Sequence, residues 1–219
     1  MPKNFYQLQT DLHTENRNLA HCITNEAAYY ARANTVINIM SAVGCDTKLL
    51  NLLDILDNYH RDSYEHTLRV TLYTVEMLYM LTVKDLNMYH MYIYGALLHD
   101  VGKAKIPLQI LDKAGKLTPQ EMALMRTHTM YSVGMASGYN QGILDIIAAH
   151  SQSPLGGGYP NPAPLNDMNL QLVGVCDRFD ALTSKRVYKP RMGVKKSIGI
   201  IAGDGFDITY IDLLNNNYQ

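Results

Sequence analysis

The stretch Tyr94-Gly95-Ala96-Leu97-Leu98-His99-Asp100-Val101-Gly102-Lys103 closes an apolar run with an adjacent histidine and aspartate, and a lysine follows three residues on. Read as helix, it sets His99 and Lys103 at i,i+4 and Asp100 and Lys103 at i,i+3, so an imidazole, a carboxylate and an ammonium converge. Imidazole nitrogen and carboxylate oxygen are good ligands for divalent transition metals, and a carboxylate can bridge two ions. A lone His-Asp pair at a helix end also suits a cap or a surface pair, so the rest of the chain must decide.

Outward from this stretch the period stays helical. Lys84 to about Asp100 reads as one helix, and Asn58 to Leu81 as a longer one whose stripe is Leu68, Leu72, Val75, Met77 and Leu78. His66 lies on that longer helix, with Asp62 one turn earlier. Upstream, Asn25 to Val43 stops at Gly44, and Thr47 to Leu56 has helical spacing. Downstream, Ile106-Pro107 is a break, and Thr118-Pro119-Gln120-Glu121 is a capping box opening a helix that carries His128 two to three turns inside. Asn140 to Ala149 delivers His150 at its end, and the glycines and prolines of Ser151 to Pro160 make a loop. Asn166 is the expected cap of a helix bearing Asp177 and Asp180; after Lys189-Pro190 come two short helical segments and an Asn-rich tail expected to fray. No strand alternation of any length and no internal repeat is present. The reading is an all-α bundle, with residues 1–57 as a helical extension and residues 58–219 as the main domain, and about seven to nine helices in all.

Composition bounds the function classes. The 219 residues are 47% hydrophobic and 18% charged, with a net charge of −1, so no global basic field points to DNA or to a membrane surface. Cys22, Cys45 and Cys176 are odd in number and lack paired ligand spacing, as reduced thiols of a cytoplasmic protein would be. Met1 to Gln7 holds no signal-type apolar core, and no apolar run approaches the roughly 20 residues of a membrane span. His13 and His21 lie in a polar stretch and are expected to be solvated.

The remaining candidates are His66, His99, Asp100, His128, His150 and Asp177, single ligands on successive helices, which is how a helical bundle builds a metal site in its core. Their order, with "LLHDVGKAKIP", "LTPQEMALMRTH", "GGGYP" after a histidine, "CDRFDALTSKRVYKP" and "GFDITYIDLL", resembles the HD-GYP subfamily of the HD superfamily of metal-dependent phosphohydrolases over about residues 58–216. That resemblance implies an HD-domain helical bundle with a two-metal centre. Asp100 would bridge two ions, iron or manganese, with His66, His99 and Asp177 on one and His128 and His150 on the other, while Asp62 leaves a third ion open. Lys103 would act with Asp100 at the scissile phosphate, and Arg186, Lys189 and Tyr159 would contact substrate. The implied reaction is hydrolysis of cyclic di-GMP, a bacterial second messenger, by a metal-activated water. The implied partners are a cyclic dinucleotide and diguanylate cyclase-type domains at the GYP loop, with a homodimer left open.

The sequence departs from that pattern where a second histidine, a glutamate and an aspartate are usual: Ser151, Gln152 and Leu155 stand there. A hydroxyl is a poor ligand for these metals, so slow, metal-supplemented turnover is expected, or binding without turnover. Two other readings stay open: a general HD phosphohydrolase acting on nucleotides, and a degenerate domain that senses a cyclic dinucleotide or binds proteins.

Overall fold

A computed structural model describes residues 3–19, 26–43, 45–184 and 191–218. His21, Cys22, Gly44, Arg186 and Lys189 lie outside the described residues. Those described form twelve α-helices and no strand: α1 Phe5–Asn18, α2 Glu26–Val43, α3 Thr47–Tyr59, α4 Arg61–Met80, α5 Leu86–Leu98, α6 Leu108–Leu111, α7 Pro119–Arg126, α8 His128–Met135, α9 Gln141–Ala149, α10 Met168–Thr183, α11 Val194–Gly203 and α12 Ile208–Asn217. A 3₁₀ turn, Val101–Lys105, joins α5 to α6. The fold is the all-α bundle expected, with more helices than expected, because α6 is a single extra turn and one anticipated helix is divided.

The boundary between α3 and α4 lies at His60, a few residues beyond where the sequence sets it. Its extended backbone ends α3, and its side chain accepts a hydrogen bond from Ser63 N, capping α4. The division is at Thr127. The capping box of Thr118 and Glu121 opens α7 as read, but α7 ends at Arg126 and His128 opens α8 instead of lying deep within one helix. Helix α5 likewise ends at Leu98, short of Asp100, with His99 as its C-cap. Asp167, not Asn166, caps α10 by accepting from Asn169 N.

Helix α4 is buried nearly all round, from Thr67 and Leu68 through Val70 to Leu78, as a central helix must be. Helices α1, α2, α3, α5, α10 and α12 all pack on it. Leu8 and Leu12 of α1 and Leu49, Leu53 and Leu56 of α3 belong to the same hydrophobic core as Leu97, Val173 and Phe179. The tail does not fray: Tyr218 is 2% exposed, packs against Tyr73 and Phe179, and donates to Glu76 Oε2 at 2.6 Å. The Arg32 guanidinium meets the same carboxylate at 2.7 Å, so the buried charge is paired and satisfied. Among the described residues, no helix is long and apolar enough to cross a membrane.

Candidate metal centre

Four helix termini and the body of two helices supply the site. His99 stands at the end of α5, Asp100 before the 3₁₀ turn, His128 at the start of α8, His150 at the end of α9, and His66 and Asp177 within α4 and α10. Two glycines let these backbones close on one another. A Cβ on Gly102 would drive into the His128 carbonyl and the Ser132 amide, and Gly102 N donates to Ser132 Oγ at 2.8 Å. A Cβ on Gly174 of α10 would lie 2.9 Å from the His150 carbonyl.

The Asp100 carboxylate is the centre of the cluster. Its Oδ2 lies 3.4 Å from His99 Nε2 and 3.6 Å from His66 Nε2, and its Oδ1 lies 3.2 Å from His128 Nε2 and 4.0 Å from His150 Nε2. Asp177 Oδ1 is 2.8 Å from His66 Nε2, and Lys103 Nζ pairs with Asp100 Oδ2. His66, His99 and Asp177 form one group with ligand atoms mutually within 4.8 Å, and His99, Asp100 and His150 form another.

Hydrogen bonds fix which ring nitrogens face inward. Nδ1 of His99, His128 and His150 reaches the carbonyls of Ala96, Met125 and Ile147 at 2.7, 2.8 and 2.7 Å. A carbonyl only accepts, so each Nδ1 carries a proton and each ring turns its Nε2 toward Asp100. His66 has a carboxylate at each ring nitrogen, Asp180 Oδ2 2.7 Å from Nδ1 and Asp177 Oδ1 2.8 Å from Nε2. Nε2 of His128 and His150 lie 3.1 Å apart, and the buried His99 Nε2 makes no hydrogen bond. A cation among these inward-facing Nε2 atoms and carboxylates would give the orphaned His99 nitrogen a partner, so the donor set fits divalent transition metals with mixed nitrogen and oxygen ligands.

The electrostatics agree. Burial alone would raise the Asp100 carboxyl, but Lys103, His99 and His128 outweigh it and hold it well below the usual carboxylate range. Burial would lower His99, yet Asp100 and Asp177 raise it. Burial, followed by the charges of His99 and His128, presses His150 down to about 3, so that ring is neutral throughout the physiological range. Asp177 is held low, against burial, by His66 and His99.

A cleft of about 620 Å³ opens onto the cluster, lined by Asp62, Lys103, Lys113, Lys116 and Tyr159 among others. Asp62 is on its wall, exposed and outside both ligand groups. Tyr159 stands edge-on to His128 with ring centroids 5.9 Å apart, beneath the Arg126 guanidinium at 5.3 Å. Ser151 is half-buried next to His150, its carbonyl accepting from Tyr159 N at 3.2 Å, while Leu155 is exposed. Two sets of residues near the site were given no role from sequence. Lys113 and Lys116 reach the cleft from the loop after α6, and a basic loop carries no signal of what it faces. Asp180, fully buried, grips His66 from behind together with Arg69; the available signal was spacing, because Asp180 follows Asp177 by three residues and Arg69 follows His66 by three.

The HD domain family model matches residues 51–209. A 3'3'-cGAMP-specific phosphodiesterase of Vibrio cholerae is 34% identical over 163 residues, covering 70% of this chain and 31% of that protein. A cyclic di-GMP phosphodiesterase of Thermotoga maritima is 31% identical over 153 residues, covering 65% and 40%. The chain thus spans about a third of the length of these curated relatives. Among solved structures, a HDG"Y"P protein from Bdellovibrio bacteriovorus aligns with TM-score 0.64 at 17% identity, over 97% of this chain and 70% of that one. The HD domain of the Listeria monocytogenes phosphodiesterase PgpH aligns with TM-score 0.57 at 17% identity, over 75% and 93%. At such identity these two structures speak for the fold.

Proposed function

The chain belongs to the HD domain family, and from that premise we propose that it is a metal-dependent phosphodiesterase acting on a cyclic dinucleotide, cyclic di-GMP in the first instance. The observation that carries the reading is the convergence of four imidazole Nε2 atoms on the Asp100 carboxylate, each ring held by an acceptor behind it. The named activities of relatives at 31% and 34% identity support the substrate class. We assign His66, His99, Asp100 and Asp177 to one ion and Asp100, His128 and His150 to a second, iron or manganese in each case. When bound, two such ions supply Lewis acidity toward a phosphodiester and bring the pKa of a water near neutrality.

The chain's own groups do the rest. Asp100 spans the two ligand sets with one oxygen toward each. Lys103, held against Asp100, presents an ammonium to the cleft where a phosphoryl oxygen gathers charge. Arg186 and Lys189 are assigned to phosphate, and Tyr159 bounds the cleft beside His128. Asp62, one turn before His66 on the cleft wall, is assigned to a third ion if one binds. Ser151 leaves the second ion one imidazole short, so turnover is slow and rises with added metal. The same serine favours the second reading, a domain that binds cyclic dinucleotide without cleaving it.

The test is hydrolysis of cyclic di-GMP and 3'3'-cGAMP by protein supplemented with Mn²⁺, beside a direct binding measurement. Product formed slowly and abolished by chelator supports the enzyme. Tight binding with no product at saturating Mn²⁺ supports the sensor, and neither binding nor product contradicts both.

A further inference from the structure

We propose that helix α1 is part of the metal centre: Glu15, acting through Arg69 and Asp180, positions His66 and strengthens its hold on an ion. The proposal rests on His66 being a ligand, as assigned above. Asp180 Oδ2 faces His66 Nδ1 at 2.7 Å and receives Arg69 Nη2 at 3.2 Å; its Oδ1 receives Arg69 Nε at 2.9 Å and Ser184 Oγ at 2.6 Å. Every side of this buried carboxylate is held, and Arg69 grips it with a two-pronged fork. The third prong, Arg69 Nη1, goes to Glu15 Oε2 at 2.8 Å, and Asn18 Nδ2 holds the other Glu15 oxygen at 2.8 Å. Glu15 and Asp180 are both almost wholly buried.

The charges show why the far end of this chain matters to the near end. Glu15, Arg69 and Asp180 together carry one net negative charge behind His66. Without the Glu15 charge the sum is zero, and Arg69 draws harder on Asp180, which becomes a weaker acceptor for the imidazole. A carboxylate behind a ligating histidine fixes its tautomer and raises its basicity, and losing such support typically lowers metal affinity about 10- to 100-fold. Glu15 lies outside residues 51–209, so the support for the site begins beyond the segment that the family match covers. Glu15 is a positioning residue, and α1 is the element through which a displacement at the N-terminal side reaches the ion.

Mn²⁺ titration followed by electron paramagnetic resonance measures the first-ion affinity of wild type, Glu15→Gln, Asp180→Asn and the double variant, with melting of each chelated protein recorded in parallel. We expect E15Q to weaken the first ion about tenfold, D180N to weaken it at least as much, and the double variant to match D180N alone, because the relay is already cut. An E15Q protein that melts lower but binds the first ion like wild type overturns the proposal, as does an E15Q effect that persists undiminished on top of D180N. If E15Q does not fold, Glu15→Met, which also removes the charge at nearly the same side-chain length, is read by the same criteria. Wild-type protein that binds no Mn²⁺ overturns the ligand assignment and this inference together, whereas normal wild-type binding with an unaffected E15Q overturns this inference alone.

Discussion

At residue scale, Asp100 is the side chain both proposed ions share, so Asp100→Asn, which keeps the shape and removes the charge, should abolish stoichiometric metal binding while the helices remain intact by circular dichroism. Retention of two ions per chain would refute the bridging role. Ser151→His should raise second-ion affinity by about 10- to 100-fold, the range that loss of even a supporting group produces in reverse, with turnover rising if the new ring reaches the ion. Unchanged occupancy would mean that the second ion is completed by another group. The His99 shift fixes the sign of a pH effect. Its Nδ1 already donates to Ala96, so an added proton goes to Nε2, the atom facing the ion. Because Asp100 and Asp177, against burial, raise its pKa above the usual 6.5, proton and metal compete for one lone pair at pH values above 6.5. Apparent affinity should climb as pH rises through that raised value and level off above it. His150, neutral down to about 3, adds no proton release. A flat profile from pH 6 to 9 would contradict this assignment.

At the scale of elements, the meeting of the 3₁₀ turn with α8 brings His128 to Asp100. Gly102→Ala pushes a methyl into the backbone at His128 and Ser132 and should cost about 1–3 kcal/mol of unfolding free energy, measured in urea, while loosening the second ion. Stability and metal binding equal to wild type would show that this approach is slack. The same junction explains what the sequence could and could not disclose. Helical period along α4, α5, α9 and α10 is legible, and with it five of the six ligand candidates, all but His128, because each caps a periodic run or lies on its stripe. The break at Thr127 is not legible, since the apolar spacing continues past it; the 3₁₀ turn packs on α8 just beyond it. Asp180 and Arg69 went unassigned because their role depends on which faces of α4 and α10 meet, a tertiary fact. The tail was misjudged for a related reason: its asparagines read as solvated, but the buried Glu76 recruits Tyr218 to complete its hydrogen bonds.

For the molecule as a whole, the extension and the main domain share a core, in which α1 and α3 bury Leu8, Leu12, Leu49, Leu53 and Leu56. At about 1.5–3 kcal/mol for each fully buried leucine, their removal rivals the 5–15 kcal/mol that holds a typical domain together. A fragment spanning 58–219 should therefore lose cooperative thermal unfolding and first-ion binding; a sharp transition with wild-type Mn²⁺ affinity would establish 58–219 as a self-sufficient domain. The central claim, that this bundle is a metal-dependent hydrolase of cyclic dinucleotides, is tested most directly by chromatographic measurement of cyclic di-GMP cleavage in Mn²⁺, with chelator and Asp100→Asn as controls. The account predicts slow formation of the linear dinucleotide or of GMP by the Mn²⁺-supplemented wild type alone. Equal product formation in chelator, or by the Asp100→Asn protein, would contradict it.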